Sequence, residues 1–214
     1  MHVADAAALQ AKNDLVAAYN AAAGRPTTAT VPVELGGTTK TPGVYDSPAG
    51  TFGITGTVTL DAQGDPNAVF IFKAASTLIT ASASSVNLVN GARSCNVFWQ
   101  VGSSATLGTY SILRGNVLAL ASITVTTGVT VDGRALARDA AVTLDTATIT
   151  RATCVQPPVP TTTSLTSSAN PTQANQPVTF SAAVASAGTA MPEPTAKSFA
   201  ILSCLHVGAL PNVK

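Results

Sequence analysis

The chain has 214 residues, only 10% of them charged, and its formal net charge is +1 at pH 7. Nucleic acids and anionic membranes are bound by clustered Lys and Arg, so this composition argues against both partners. The sequence contains no run of about 20 apolar residues that could cross a bilayer. Its first residues also lack the basic and apolar regions that mark a signal peptide.

Residues 4–23 are predicted to form a helix, because they are rich in Ala and contain Leu9, Leu15 and Tyr19. Asp5 is a suitable N-cap, and Gly24 follows the last predicted helical residue. Residues 27–50 contain many Gly and Pro and are predicted as loop and short strand. A repetitive region of short strands then extends from about residue 51 to 150.

A threonine between two apolar residues recurs in the repetitive region. Thr106, Thr124 and Thr143 stand at the centre of such triplets, 18 and then 19 residues apart, and Thr59 and Thr77 lie in looser copies. Alternating apolar and polar residues are typical of a half-buried strand. A repeat this short cannot bury its own apolar face, so successive copies must stack on one another.

Each unit also contains an apolar strand and a turn. Val97-Phe98-Trp99 precedes one threonine triplet by a few residues, and Arg114-Gly115 and Asp132-Gly133 supply turns at which Gly adopts a positive φ at low cost. The pattern predicts a mainly β chain that forms a β-solenoid, with the helix along one flank. A β-sandwich is the alternative, because short strands with frequent turns are also typical of it.

The few histidines and cysteines restrict the chemistry. The only histidines are His2 and His206, so the repetitive region cannot form a Ser-His-Asp or Cys-His arrangement. The three cysteines lack the spacing of metal ligands. We therefore expect no enzyme activity, no metal and no cofactor. Cys95 and Cys154 form a possible disulfide, and two buried free thiols are the alternative.

The composition changes after the repetitive region. Residues 1–154 are predicted to form the solenoid domain, and residues 155–163 are a linker rich in Pro and Thr. Residues 164–187 contain the opening strands of a second β module. Residues 188–214 fit neither strand nor turn patterns, so we expect a disordered or non-native tail.

Several long motifs carry a family resemblance. Residues 68–72 (AVFIF), 95–109 (CNVFWQVGSSATLGT), 118–125 (LALASITV) and 133–138 (GRALAR) resemble the ice-binding protein family of bacteria, fungi and algae, once known only as a domain of unknown function. The resemblance implies a right-handed, discontinuous β-solenoid of triangular section with an α-helix packed alongside. It also implies a secreted or cell-surface protein that adsorbs to ice crystals without catalysis, in this chain a bacterial and monomeric one serving cold adaptation.

The chain departs from the family pattern at both ends. Family members usually have solenoid coils before the helix, whereas this sequence starts at the helix, which predicts an N-terminal truncation. Residues 164–187 are similar to the start of a bacterial Ig-like repeat, which predicts a truncated module resembling a β-sandwich.

Ice binding requires a flat, stiff, uncharged surface, and threonine supplies a methyl and a hydroxyl on a β-branched side chain. Two threonine ladders are candidates, and residues 127–130 (TGVT) also resemble a Thr-Gly-x-Thr motif of some bacterial members. The first ladder is Thr77, Thr106, Thr124 and Thr143; the second is Thr109, Thr127 and Thr146, with Ser111, Thr130 and Thr148 nearby and Ser82 and Ser85 as a looser counterpart.

Two alternatives remain at this point. Any exposed strand of high β-propensity collects threonine, so either ladder can be structural only. A cell-surface adhesin that binds glycan or matrix through the solenoid is the alternative function, although only 5% of the residues are aromatic.

Overall fold

A computed structural model describes residues 5–153, 161–169 and 178–186 of the chain. The chain divides into two compact units, residues 1–156 and residues 157–214, which are described separately. No helix in the described residues is long and apolar enough to cross a membrane.

The first unit begins with helix α1 (Ala6–Ala23). Asp5 caps it as predicted, because the backbone N–H of Ala8 donates to Asp5 Oδ1 at 2.8 Å. The helix ends at the predicted residue and begins after the cap, two residues later than the sequence suggested. Gly24 follows, and its N–H donates to the carbonyl of Asn20.

Fifteen strands and one short 3₁₀ helix (Ser94–Asn96) follow in the described residues of the first unit. In chain order the strands are β1 Ala29–Thr30, β2 Thr39–Lys40, β3 Gly43–Asp46, β4 Phe52–Ile54, β5 Thr57–Asp61, β6 Phe70–Ala74, β7 Leu78–Thr80, β8 Ser85–Val89, β9 Val97–Val101, β10 Ala105–Leu107, β11 Ile112–Ala119, β12 Ile123–Val125, β13 Thr130–Ala137, β14 Val142–Leu144 and β15 Thr148–Thr150.

The strands stack into three faces. The helix face contains β1, β3, β6, β9 and the second halves of β11 and β13; the threonine face contains β4, β7, β10, β12 and β14; the polar face contains β2, β5, β8, the first halves of β11 and β13, and β15. All described strand pairs of this unit are parallel. This confirms the mainly β solenoid with one helix and excludes an antiparallel β-sandwich for this unit.

The stack begins earlier in the chain than the sequence repeat indicates. β1 pairs with β3 and β2 pairs with β5, and an isolated bridge joins Glu34 to Gly53 on the threonine face. This first coil lies in the stretch predicted as loop and short strand. Its strands are only two residues long, so no alternating pattern could reveal them in the sequence.

The interior of the solenoid contains a column of aromatic rings. Phe72 stacks on Trp99 with ring centroids 4.3 Å apart and on Tyr45 at 5.2 Å, and Phe52 meets Phe72 edge-on at 5.9 Å. Trp99 is 1% exposed, and its Nε1–H donates to the carbonyl of Arg114 at 3.1 Å. Trp99 is therefore a core residue, and packed rings anchor the coils of this column to their neighbours.

The helix covers one side of the stack. Tyr19 and Ala22 are buried against Ile71 and Leu118 of the helix face. Gln100 Nε2 donates to the hydroxyl of Tyr19 at 2.8 Å. This hydrogen bond satisfies two buried polar groups, which fixes the position of α1 on the solenoid.

The second unit is described only as a two-stranded antiparallel ribbon of β16 (Thr161–Ser167) and β17 (Phe180–Ser186). β16 begins inside the predicted linker, and the Ig-like module remains a prediction. The predicted tail, residues 188–214, lies outside the described residues.

Two glycines let β11 and β13 turn from the polar face to the helix face. Gly115 and Gly133 have φ of +119° and +154°, values that side chains rarely permit. A Cβ on Gly133 would lie 1.9 Å from the carbonyl oxygen of Gly115. The coils approach each other so closely at this corner that only Gly fits.

Gly133→Ala should therefore destabilise the solenoid by about 3 kcal/mol or more, because it combines a backbone clash with an unfavourable φ. Gly37→Ala is the matched control, since Gly37 has φ +74° but a Cβ added there would meet nothing within 4 Å; it should cost about 1 kcal/mol. Urea unfolding followed by circular dichroism measures both. Equal effects of the two substitutions would contradict the close approach.

Candidate functional site

The centre of the threonine face is one row of residues that project outward. Backbone pairing places Thr106 opposite Thr124 and Thr124 opposite Thr143 in consecutive coils. Neighbouring strands lie about 4.8 Å apart, so these side chains repeat at that spacing. The row continues through the earlier coils with Ile79 and Gly53.

Thr106 and Thr124 of this row are held by buried neighbours. Ala105 and Leu107 flank Thr106, Ile123 and Val125 flank Thr124, and all four are at most 1% exposed. The three threonines themselves are exposed. Within the described residues their hydroxyls form no hydrogen bond to the protein, so those groups are available to water alone.

The expected first ladder is wrong at one position. Ile79, not Thr77, pairs with Thr106, and the Ile79 side chain is 53% exposed. Thr77 lies two residues earlier, where Leu78 N–H donates to the carbonyl of Ser104. Thr77 therefore belongs to a second row of the same face, next to Ser104 and Ser122, whose hydroxyls lie 2.9 Å apart.

The second ladder is divided by the structure. Ser82 and Thr109 lie at the corner between the threonine and polar faces, with their hydroxyls 3.3 Å apart. Thr127 and Thr146 lie at the same corner and donate to the carboxylate of Asp145 at 2.6 and 2.8 Å. These corner hydroxyls contact protein groups, unlike those of the central row.

The other members of the second ladder lie on the polar face. Ile112 pairs with Ser85 on one side and with Thr130 on the other, and Thr130 pairs with Thr148. Ser85 also shares a hydrogen bond of 2.8 Å with Thr57. Thr130 and Thr148 are exposed, but Ile112 separates them from Ser85 in the row.

Ser111 was expected on the surface and is instead 1% exposed. It accepts a hydrogen bond of 3.2 Å from Thr80 Oγ1, inside the solenoid. The preceding residue, Tyr110, has φ +57° and is 66% exposed. A residue in the left-handed region breaks the alternation of a strand, so Tyr110 points outward and Ser111 inward.

Asp145 is a residue of this face that the sequence pattern did not reveal. It follows Thr143 by two residues, so strand alternation places it on the outer side of the same face. The hydrogen bonds from Thr127 and then Thr146 lower the pKa of its carboxyl below the ordinary 3.8. Asp145 is therefore ionised at neutral pH and brings a negative charge to the edge of a row without charged residues.

Cys95 is disulfide-bonded, so the free-thiol alternative is wrong for this residue. The other two cysteines, Cys154 and Cys204, lie outside the described residues, and pairing with Cys154 remains a prediction. The described residues contain no group of His, Cys, Asp and Glu side chains that could hold a metal ion.

Comparison with known proteins identifies the family. The family model described as "Ice-binding-like" matches residues 1–150. The chain belongs to this family. It is 51% identical over 155 residues to an ice-binding protein of Nostoc sp. (strain HG1), covering 72% of this chain and 57% of that protein. It is 40% identical over 148 residues to ice-binding protein 1 of Shewanella frigidimarina, covering 67% of this chain and 17% of that protein.

A solved member of the ice-binding family has the same fold. The ice-binding protein of the Antarctic ascomycete Antarctomyces psychrotrophicus superimposes with a TM-score of 0.67 at 45% identity, covering 70% of this chain and 73% of that chain. The chain spans about half the length of the Nostoc relative and a smaller part of the Shewanella one.

Thiol titration of the unfolded, unreduced chain tests the disulfide pairing. If Cys95 pairs with Cys154, Cys204→Ser should remove the one thiol left by the three cysteines. Cys154→Ser should instead leave the thiols of Cys95 and Cys204 free. A free thiol in the Cys204→Ser variant would contradict this pairing.

Proposed function

We propose that this chain binds ice through the threonine face. The central row carries the proposal, because Thr106, Thr124 and Thr143 are in register, exposed, and without a hydroxyl partner within the described part of the protein. Hydroxyl groups that are already hydrogen-bonded to the protein can form fewer hydrogen bonds with a surface of ordered water. This difference favours the central row over the corner residues of the second ladder.

The physical basis is rigidity combined with repetition. Each threonine is β-branched, so its χ1 is restricted, and its backbone is fixed by pairing on at least one side. Adsorption to ice then requires little loss of side-chain freedom. Weak contacts that a rigid surface presents together add up to strong binding. Ile79 supplies an apolar group in the same row, and removing this apolar surface from liquid water favours adsorption.

The expected consequences are thermal hysteresis and inhibition of ice recrystallisation, without catalysis or a cofactor. We propose that the chain acts as a monomer, because one threonine face suffices for adsorption. We place it outside the cell or on its surface. The disulfide at Cys95 supports this location, since disulfides persist in oxidising compartments.

Thr124→Tyr tests the proposal at the centre of the row. The larger ring should hold the face away from ice and abolish thermal hysteresis, and the melting temperature should stay nearly unchanged because residue 124 is exposed. Asn87→Tyr is the matched control, since Asn87 is exposed on the polar face and should tolerate the ring without loss of activity.

Nanolitre osmometry on both variants, with circular dichroism on the same samples, gives the result. Full activity of a folded Thr124→Tyr variant would reject the threonine face as the binding surface. Loss of activity only in Asn87→Tyr would move the site to the polar face. A wild-type chain that is folded yet inactive would favour the adhesin alternative.

A further inference from the structure

The outermost strand of the threonine face, β14, has a weaker anchor than its neighbours. In β10 and β12 the residues on both sides of the threonine are buried. In β14, Val142 is only half-buried and Leu144 is 58% exposed. Inward packing therefore holds Thr143 less firmly than it holds Thr106 or Thr124.

Asp145 supplies contacts that this packing lacks. Its backbone N–H donates to the carbonyl of Val125 at 3.0 Å, which ties the end of β14 to β12. Its Oδ2 accepts from Thr127 at 2.6 Å and its Oδ1 from Thr146 at 2.8 Å. The carboxylate thus joins two successive coils at the corner next to the central row.

The local backbone gives this bridge a further role. Thr146 has φ +48°, an uncommon conformation for a β-branched residue. Such a conformation persists only when surrounding contacts hold it. The hydrogen bond from Thr146 to Asp145 is one such contact, and the turn it supports directs the chain from β14 to β15.

We propose that Asp145 is a positioning residue for ice binding, which holds the outermost threonine, Thr143, in the plane of Thr124 through its carboxylate bridge. This inference rests on the proposed function of the threonine face. Asp145 itself is not the ice contact. It acts by keeping the last coil aligned with the coil beside it.

Both carboxylate oxygens accept a hydrogen bond from a threonine hydroxyl, so protonation of one oxygen weakens the bridge. Hydrogen bonds from Thr127 and then Thr146 are the groups that lower the pKa of Asp145, and no charged side chain of the described residues contributes to that shift. A lowered pKa means that the contribution is present above the ordinary value of 3.8 and is lost as the pH falls through the folded-state pKa.

Asp145→Ala and Asp145→Asn test the proposal on the full chain. The alanine variant loses both acceptors and should lower thermal hysteresis about twofold, because one aligned contact leaves a multivalent surface. The asparagine variant retains one acceptor oxygen and should lie between alanine and wild type. Asp139→Asn is the matched control. Asp139 lies in the same coil, and its Oδ1 contacts Arg138 Nε at 3.4 Å. Removing this negative charge should leave thermal hysteresis unchanged.

The pH profile separates positioning from general stability. Wild-type activity should fall towards that of Asp145→Asn as the pH falls through the folded-state pKa, which lies below the ordinary 3.8, and the difference between the two should vanish at still lower pH. Glu34 and Asp61 also have lowered pKa values, but their protonation affects both proteins equally. The proposal would be overturned if both Asp145 variants had the same thermal hysteresis as wild type. It would also be overturned if the difference between wild type and Asp145→Asn stayed constant across the pH range.

The Thr124→Tyr variant is measured in parallel to separate the two claims. If Thr124→Tyr is inactive and both Asp145 variants are fully active, the threonine face stands and the positioning role is rejected. If Thr124→Tyr is fully active, ice binding by the threonine face is rejected, and the positioning role of Asp145 is rejected with it. If Asp145→Ala fails to fold, Asp145→Asn and its pH profile decide the question.

Discussion

The parallel pairing of one coil with the next is the interaction on which the rest of the structure depends. Backbone hydrogen bonds fix which residue of a coil lies opposite which residue of its neighbour. A repeat of 18 or 19 residues then places the same position of each triplet in one straight row. A shift of one residue would turn the buried Leu107 outward and Thr106 inward, so the buried neighbours of Thr106 and Thr124 also specify the register.

Two features let so narrow a solenoid remain rigid. The aromatic column of Tyr45, Phe72 and Trp99 fills the second to fourth coils, and α1 covers the outer side of the helix face with Tyr19 and Ala22. The last two coils also meet closely at Gly115 and Gly133, where a Cβ on Gly133 would lie 1.9 Å from the carbonyl oxygen of Gly115. The threonine face, unlike the helix face, needs no helix to cover it. Its central threonines are short and polar, and Ile79 is a single apolar side chain among them.

The regular coils could be predicted from the sequence, and the irregular ones could not. The register of Thr106, Thr124 and Thr143 is visible in the sequence because their coils have nearly equal lengths. Thr77 was misplaced because the coil that follows it is longer: the residues from β8 to β9 include a turn and a 3₁₀ helix, so the spacing no longer marks the partner. Register here follows from hydrogen bonding across the insertion, which a search for equal spacing cannot detect.

The predictions for the residues at the corner were wrong or incomplete for a different reason. At the corner between the threonine and polar faces each of the last five coils has a residue of positive φ: Gly56, Ala83, Tyr110, Gly128 and Thr146. Strand alternation does not continue through such a residue, so Ser111 turns inward although simple counting places it outside. Asp145 was missed because its role depends on contacts between side chains of two coils, and sequence spacing carries no information about them.

Thermal hysteresis of the purified wild-type chain, with circular dichroism on the same sample, tests the central claim most directly. We predict a β-rich, folded protein that separates the freezing and melting temperatures and shapes the ice crystal. A folded, β-rich sample that leaves ice growth unchanged would contradict the claim that the threonine face binds ice.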